Sequence, residues 1–455
     1  MPTPRASFGI CVLASALGCG GGGRGDEGLF GDGGGTDPAG GDTPTDGAGP
    51  SDGGGGSADA SDDGADDADD GAKFDTPDGV TAGDDGGPVD CECGNTDWSY
   101  VWIANSSQGT VSKIDTRSLV EEGRYLTRSD GAGNPSRTSV SVDGRAVAIA
   151  NRHVGIVKIW AREEFCSDTN GTPGIQTSLG GDDVLPWSQD DCVAWFTDFP
   201  DMTVQRPVQW TPGQGACHTD QKIWTTTGSM GAGPGQCGQS GVWIHRLDGD
   251  TGVVEDTVHL PENQFNCDHT NTTLGLGLGP YGGAVDFEGN FWFHGFGNGK
   301  LVRVDFDTLD VEIFPGGGYG ITVDTTGRVW TSSSIQRFDY ATGQSASQNV
   351  STSGGITQDL QQRIWAAGDN GVVWVDMESL AVGDVIDLPG EGQVKGVSAD
   401  IDGYIWAIRQ GDPTAYKIDP DTYAIETFTG LDGPYTYSDM AGGSLSNVTC
   451  NPPEG

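Results

Sequence analysis

One spacing recurs through the C-terminal half of the chain: an aspartate, five residues, then a tryptophan. Asp286 precedes Trp292, Asp324 precedes Trp330, Asp359 precedes Trp365, and Asp400 precedes Trp406. Each pair is followed by a short apolar run ending in aspartate, at Asp305, Asp339, Asp376 and Asp419. Successive tryptophans in this run stand 35 to 41 residues apart. Three looser copies come earlier: Trp102 leads to Asp115, Asp143 and Ile149 lead to Trp160, and Trp224 leads to Asp248. A chain with seven such copies is built from repeating units that each leave an apolar face uncovered.

Within a copy the pattern is that of strands. Tyr319 to Val323 alternates, Gly327-Arg328-Val329-Trp330 is a turn entering a second strand, Gln336-Arg337-Phe338-Asp339 is a third, and Leu309 to Phe314 has the character of a fourth. Four short strands per repeat, with no helical period, make one propeller blade. Stacking seven blades in a ring buries Val, Ile and Trp between neighbours and leaves only short sheet edges. The expected fold is therefore all-β, a seven-bladed β-propeller over residues 91–450. Excursions about 161–206 and 228–278 break the even spacing and carry cysteines, as long functional or cross-linked loops do. Tyr435 to Met440 is an extra strand-like piece that must meet the start of the ring to close it. The aspartates of Asp248, Asp305 and Asp419 are expected to form side-chain-to-backbone turns.

The chain before the ring has a different character. Met1 to Arg5 carries one positive charge, Ala6 to Leu17 is apolar, and small residues lead to Cys19, which together read as a secretory signal over residues 1–18. Residues 19–90 form an acidic Gly/Asp-rich tether, with 19 acidic residues against Arg24 and Lys73. Such a segment buries too little apolar surface to offset its ordering entropy, so it is expected to be disordered. Over the whole chain 66 acidic residues face 23 basic ones. That excess argues against nucleic acid as a partner, because phosphate binding needs a positive field. No apolar run is long enough to span a bilayer. Apart from Cys11 and Cys19, the cysteines are Cys91, Cys93, Cys166, Cys192, Cys217, Cys237, Cys267 and Cys450. Their even number in an exported chain implies disulfides, with the connectivity open. A bridge from Cys91 or Cys93 to Cys450 would clasp the ring.

The phrases Tyr319-Gly320-Ile321-Thr322-Val323-Asp324, Gly289-Asn290-Phe291-Trp292-Phe293 and Leu301-Val302-Arg303-Val304-Asp305 resemble those of streptogramin (virginiamycin B) lyases and the wider NHL-like propellers. The Ala16-Leu17-Gly18-Cys19 run resembles a bacterial lipobox, which implies lipidation of Cys19 and an outer-membrane or cell-surface location. The segment Cys91 to Tyr125 and the closing Tyr435 to Met440 are similar to surface lipoproteins of myxobacterial type. The lyase resemblance implies a magnesium-assisted carbon–oxygen lyase acting on a cyclic ester, with His and Glu residues above the channel. Here Trp292 is followed by Phe293 and His294, and no repeat has a glutamate two or three places after its tryptophan. His294 and His153 are the candidate bases. Without carboxylate partners, the favoured reading is a non-enzymatic recognition or scaffold module with no cofactor, a monomer. Its expected binding face comprises Asn105, Asn151, His153, His294 and Arg409 at the rim. Arg137, Tyr281, Tyr319 and Lys395 stand nearer the channel. A polar and aromatic rim of this kind suits a small polar ligand, a glycan or a peptide.

Overall fold

The computed structural model describes residues 93–451, apart from 95–96, 216, 229–240, 266–269, 272–275, 278, 298 and 438. The signal, the tether, Cys19, Cys91, Cys237 and Cys267 lie outside the described residues.

Seven antiparallel sheets form a β-propeller. The innermost strands of blades two to seven are Pro135–Val140, Val204–Trp210, Pro280–Val285, Ile321–Val323, Ile356–Gln358 and Val394–Ala399. All six are buried along their whole length, as strands covered on both faces must be. Blade one has only three regular strands of its own, Tyr100–Asn105, Thr110–Asp115 and Glu121–Leu126. Its inner position is filled from the other end of the chain. The Trp102 amide donates to the Met440 carbonyl at 2.8 Å, and the Tyr435 amide donates to the Ala104 carbonyl at 3.1 Å. The ring thus closes by pairing its first and last segments, and the Cys93–Cys450 disulfide joins the two across 357 residues of sequence.

The repeated aspartate and tryptophan explain each other. Trp292, Trp330, Trp365 and Trp406 sit on second strands with no more than 1 % exposure. Each indole Nε1–H donates to the aspartate six residues earlier, at 3.0, 2.7, 2.7 and 2.9 Å. The other carboxylate oxygen accepts backbone amides two and four residues on, fixing the turn into the second strand. One side chain therefore closes the turn and satisfies the buried indole. Asp248, Asp305 and Asp419 make the expected turns, each accepting the amide three residues ahead.

The excursions are narrower than the spacing suggested. Val193–Thr197 is the outer strand of blade two, and Val242–Asp248 and Val254–Leu260 complete blade three. The loop proper runs from 161 to 192 and is stapled by Cys166–Cys192. Cys217 is also disulfide-bonded. Oxidised cysteines fit a protein that folds outside the reducing cytosol. After the ring closes, helix α1 (Gly443–Cys450) crosses one end of the channel. Its Ser444 and Leu445, with Asp439, line a cavity of about 20 Å³ against inner strands of blades three to six, room for about one water.

Candidate functional site

At the other end of the channel, the inner strands begin, and several begin with a bulge. Pairing slips between Pro135 and Arg137, between Gln205 and Val208, between Pro280 and Gly282, and between Val394 and Gly396. An extra residue at such a point turns its side chain out of the regular alternation. Ser136, the pair Arg206-Pro207, Tyr281 and Lys395 occupy these slips. The result is a cluster of aromatic and basic side chains at the channel mouth.

Tyr281, Tyr319 and Tyr437 pack together, with ring centroids 5.0 Å apart for Tyr281–Tyr319 and 5.2 Å for Tyr319–Tyr437. The Arg137 guanidinium lies 3.1 Å from the centroid of the Tyr437 ring and 5.0 Å from that of Tyr281. Arg206 lies 4.9 Å from the Tyr281 ring, Arg152 4.6 Å from the Tyr435 ring, and the Lys395 ammonium 4.4 Å from the Tyr319 ring. Cation–π contacts of this kind are strongest where water is excluded, and Arg137 and Arg206 are 0 % and 3 % exposed. The hydroxyl of Tyr435 is hydrogen-bonded to that of Tyr281 at 2.8 Å and also to that of Tyr319. Tyr435 itself remains partly exposed.

The electrostatics are one-sided. Arg137 hydrogen-bonds only to backbone, through Nε and Nη2 to the Tyr281 carbonyl and through Nη1 to the Ser136 carbonyl. Its principal electrostatic neighbours are Tyr435, Tyr281, Arg206 and Tyr319. Burial pushes Arg137 down to about 9 and, together with Arg206, pushes Arg152 down to about 10. Burial raises Tyr281 and Tyr319 above the ordinary tyrosine range. Burial acts the same way on Tyr435, yet the charges of Arg137, Arg206 and Arg152 outweigh it and hold that hydroxyl below the ordinary range. The Nε–H of Arg206 is buried and has no hydrogen-bond partner.

Four of the nine expected site residues, Arg137, Tyr281, Tyr319 and Lys395, are brought together here. The others are placed differently. Asn105 is fully buried, donating to Ser112 Oγ at 2.8 Å and accepting the Asp432 amide at 3.0 Å, so it ties the ring closure. Asn151 donates to the carbonyls of Thr127 and Gly155. Arg409 gathers the carbonyls of Asn370, Leu388, Pro389 and Gly392. With their polar atoms committed to neighbouring backbone and hydroxyl groups, these three hold loops. His153 faces the Ala132 carbonyl at 2.9 Å, and burial lowers its basicity. His294 is 0 % exposed, pushed down to about 4 by burial and secondarily by Arg137, and its Nε2 has no partner. Arg152, Arg206, Tyr435 and Tyr437 were not singled out by sequence. The one sequence signal that could have located Arg206 is the proline after it, since proline within a strand marks an edge or a bulge.

Magnesium, which the lyase resemblance implies, needs hard oxygen ligands, carboxylates above all. The channel mouth presents guanidiniums, an ammonium and phenols instead, and His294 is sealed among glycines and Arg137. Among the described residues no group of three or more His, Cys, Asp or Glu side chains is placed to hold a metal. The donor set does not fit that ion.

No family model matches the chain, and no curated protein matches it. Among solved structures it is similar to a streptogramin B lyase at 17% identity, covering 70% of this chain and 90% of that one with a TM-score of 0.47. It is similar to virginiamycin B lyase from Staphylococcus aureus at 16% identity, covering 67% and 89% with a TM-score of 0.43. BamB from Moraxella catarrhalis is similar at 12% identity, covering 76% and 87% with a TM-score of 0.41. Likenesses at this level concern the propeller fold and leave the chemistry to the site itself.

Proposed function

We propose that this protein is a recognition module, exported and held at the cell surface by a lipid on Cys19. It binds a small polar ligand at the channel mouth and does no chemistry on it. The observation that carries the reading is the buried Arg206, whose Nε–H has no partner while its side chain lies against Tyr281. An unsatisfied buried donor is costly unless a ligand or water satisfies it. A lyase of the resembling type would instead need carboxylates and a metal-binding set there. The acidic segment between Cys19 and the ring then serves as a spacer.

The test is a thermal-shift screen of the purified full-length protein against saccharides, peptides and small charged metabolites. A ligand that raises Tm in the wild type and not in Tyr319→Ala supports binding at the channel mouth. A ligand that raises Tm equally in both would place binding elsewhere. Turnover of a cyclic ester that depends on magnesium would overturn the non-enzymatic part. For the anchor, Cys19→Ser should move the protein from the membrane fraction to the soluble one.

A further inference from the structure

Resting on that reading, we propose that the channel mouth is a receptor for a small oxyanion, a carboxylate or a phosphate group, held by Arg206 and Arg137 beside the Tyr435 hydroxyl. Elsewhere in this molecule several buried and half-buried cations are paired with carboxylates. Arg124 is paired with Glu121 at 2.8 Å, Arg246 with Asp256 at 2.6 Å, Arg328 with Asp324 at 2.8 Å and Arg363 with Asp359 at 2.6 Å. Lys222 is bracketed by Asp220, Asp248 and Glu255. In a chain with 66 acidic residues, a partner is rarely far away. At the channel mouth none is supplied: among the described residues no carboxylate pairs with Arg137 or Arg206. Both guanidiniums are nonetheless taken out of water, a state that costs several kcal/mol per ion in general unless a counter-charge is present.

The surroundings are shaped for an incoming anion. Arg137 is clamped by three backbone bonds and two rings, so its orientation is fixed before any ligand arrives. Arg206 has its buried Nε–H unpaired and lies against the Tyr281 ring. A guanidinium fork matches the spacing of two oxygens on a carboxylate or phosphate. The Tyr435 hydroxyl, hydrogen-bonded to two neighbouring phenols and partly exposed, faces the guanidiniums of Arg137, Arg152 and Arg206. Its depressed ionisation is what a site missing its anion would produce. The groups facing it are Arg137, Arg152, Arg206, Tyr281 and Tyr319. An entering oxyanion supplies the missing counter-charge, with the Tyr435 hydroxyl beside it as a hydrogen-bond donor.

The experiment is isothermal titration calorimetry on the full-length protein with inorganic phosphate in one arm and acetate in the other, chloride serving as control. Arg206→Gln is the diagnostic variant, because Arg206 makes no hydrogen bond that holds the fold. Saturable one-to-one binding of phosphate or acetate, weakened at least about tenfold in Arg206→Gln with Tm unchanged or raised, is the expected result. The arm that responds tells phosphate from carboxylate. A second readout is tyrosine ionisation followed by ultraviolet absorbance: one phenol should titrate below the rest in the free protein and move up when the anion is bound. Absence of saturable binding in both arms, or equal binding by Arg206→Gln, overturns the proposal. If neither anion binds but a neutral saccharide still raises Tm in the wild type and not in Tyr319→Ala, the recognition reading stands and the oxyanion receptor falls.

Discussion

Asp400 accepts the indole N–H of Trp406 at 2.9 Å with both side chains sealed from water, and four places after the aspartate stands Tyr404. In blades five and six the equivalent fourth residue is arginine, and its Nε lies 2.8 Å from Asp324 and 2.6 Å from Asp359. Burial without such a partner pushes Asp400 up to about 6. A carboxyl raised above its unfolded value stabilises the fold fully below the unfolded value and loses that contribution as pH rises through the folded one. Between about pH 4 and pH 6, Asp400 should therefore remove about 2–3 kcal/mol of stability. Tyr404→Arg should recover about 1–2 kcal/mol at pH 7.5 and almost nothing at pH 4. Urea unfolding of the two proteins at both pH values measures the difference, and an equal gain at both would show that the guanidinium acts through packing.

His294 works in the opposite sense over a neighbouring range. Burial holds it down to about 4, so the folded protein keeps it neutral while the unfolded chain protonates it near pH 6.5. A depressed value means stability that is present above the unfolded value and lost as pH falls toward the folded one. The loss expected from this residue between pH 6.5 and pH 4 is about 3 kcal/mol. His294→Asn should flatten that part of the wild-type stability profile, read as Tm against pH. An unchanged acid slope would place the sensitivity in other groups, His245 first among them, since burial also holds it at about 4.

The architecture was legible because its signal is repeated. Asp286 and Trp292, with their three counterparts, recur at fixed spacing since one carboxylate has to serve both the turn and the indole. The site was legible only in part. Arg137, Tyr281, Tyr319 and Lys395 could be picked out because they occupy the start of an inner strand, a position the repeat locates. Arg206 escaped because its blade was aligned on Lys222 to Trp224, one strand further along, and its direction is set by a bulge that spacing does not reveal. Tyr435 and Tyr437 were read as parts of a closing strand, which they are, without the cluster their rings complete. Asn105, Asn151 and Arg409 reach the expected end of the ring, but hydrogen bonds decide where they point, to hydroxyls and the Asp432 amide for Asn105 and to loop carbonyls for Asn151 and Arg409. No one-dimensional pattern carries that information.

The disulfide from Cys93 to Cys450 fastens the two ends that close the ring. Its loop spans nearly the whole propeller, so cutting it restores a large share of the unfolded chain's freedom. Cys450→Ser should lower stability by about 2–5 kcal/mol and steepen the denaturant slope, because the unlinked unfolded chain exposes more surface. Guanidinium unfolding under non-reducing conditions gives both quantities. Wild type treated with reductant should approach the variant, apart from any contribution from the Cys166–Cys192 bridge. A variant as stable as wild type would mean that the strand pairing of Trp102 with Met440 and of Tyr435 with Ala104 holds the ring unaided.

Helix α1 offers a sharper test, because one atom decides its seating. A Cβ on Gly443 would lie 2.3 Å from the Ala399 carbonyl oxygen and 3.3 Å from the Ala399 side chain. Neither partner can yield, since Ala399 ends the buried inner strand of blade seven. Gly443→Ala must lift the start of the helix from the channel end. Asp439 then loses the amides of Ser444 and Leu445 that it accepts at 3.1 and 2.9 Å. That carboxyl is already pushed up to about 6 by burial. Removing its donors raises it further, so the damage should grow as pH rises above 6. A loss of about 2–4 kcal/mol at pH 7.5 and less at pH 5 is expected. The same loss at both pH values would mean that Asp439 keeps its donors and that the cost is steric alone.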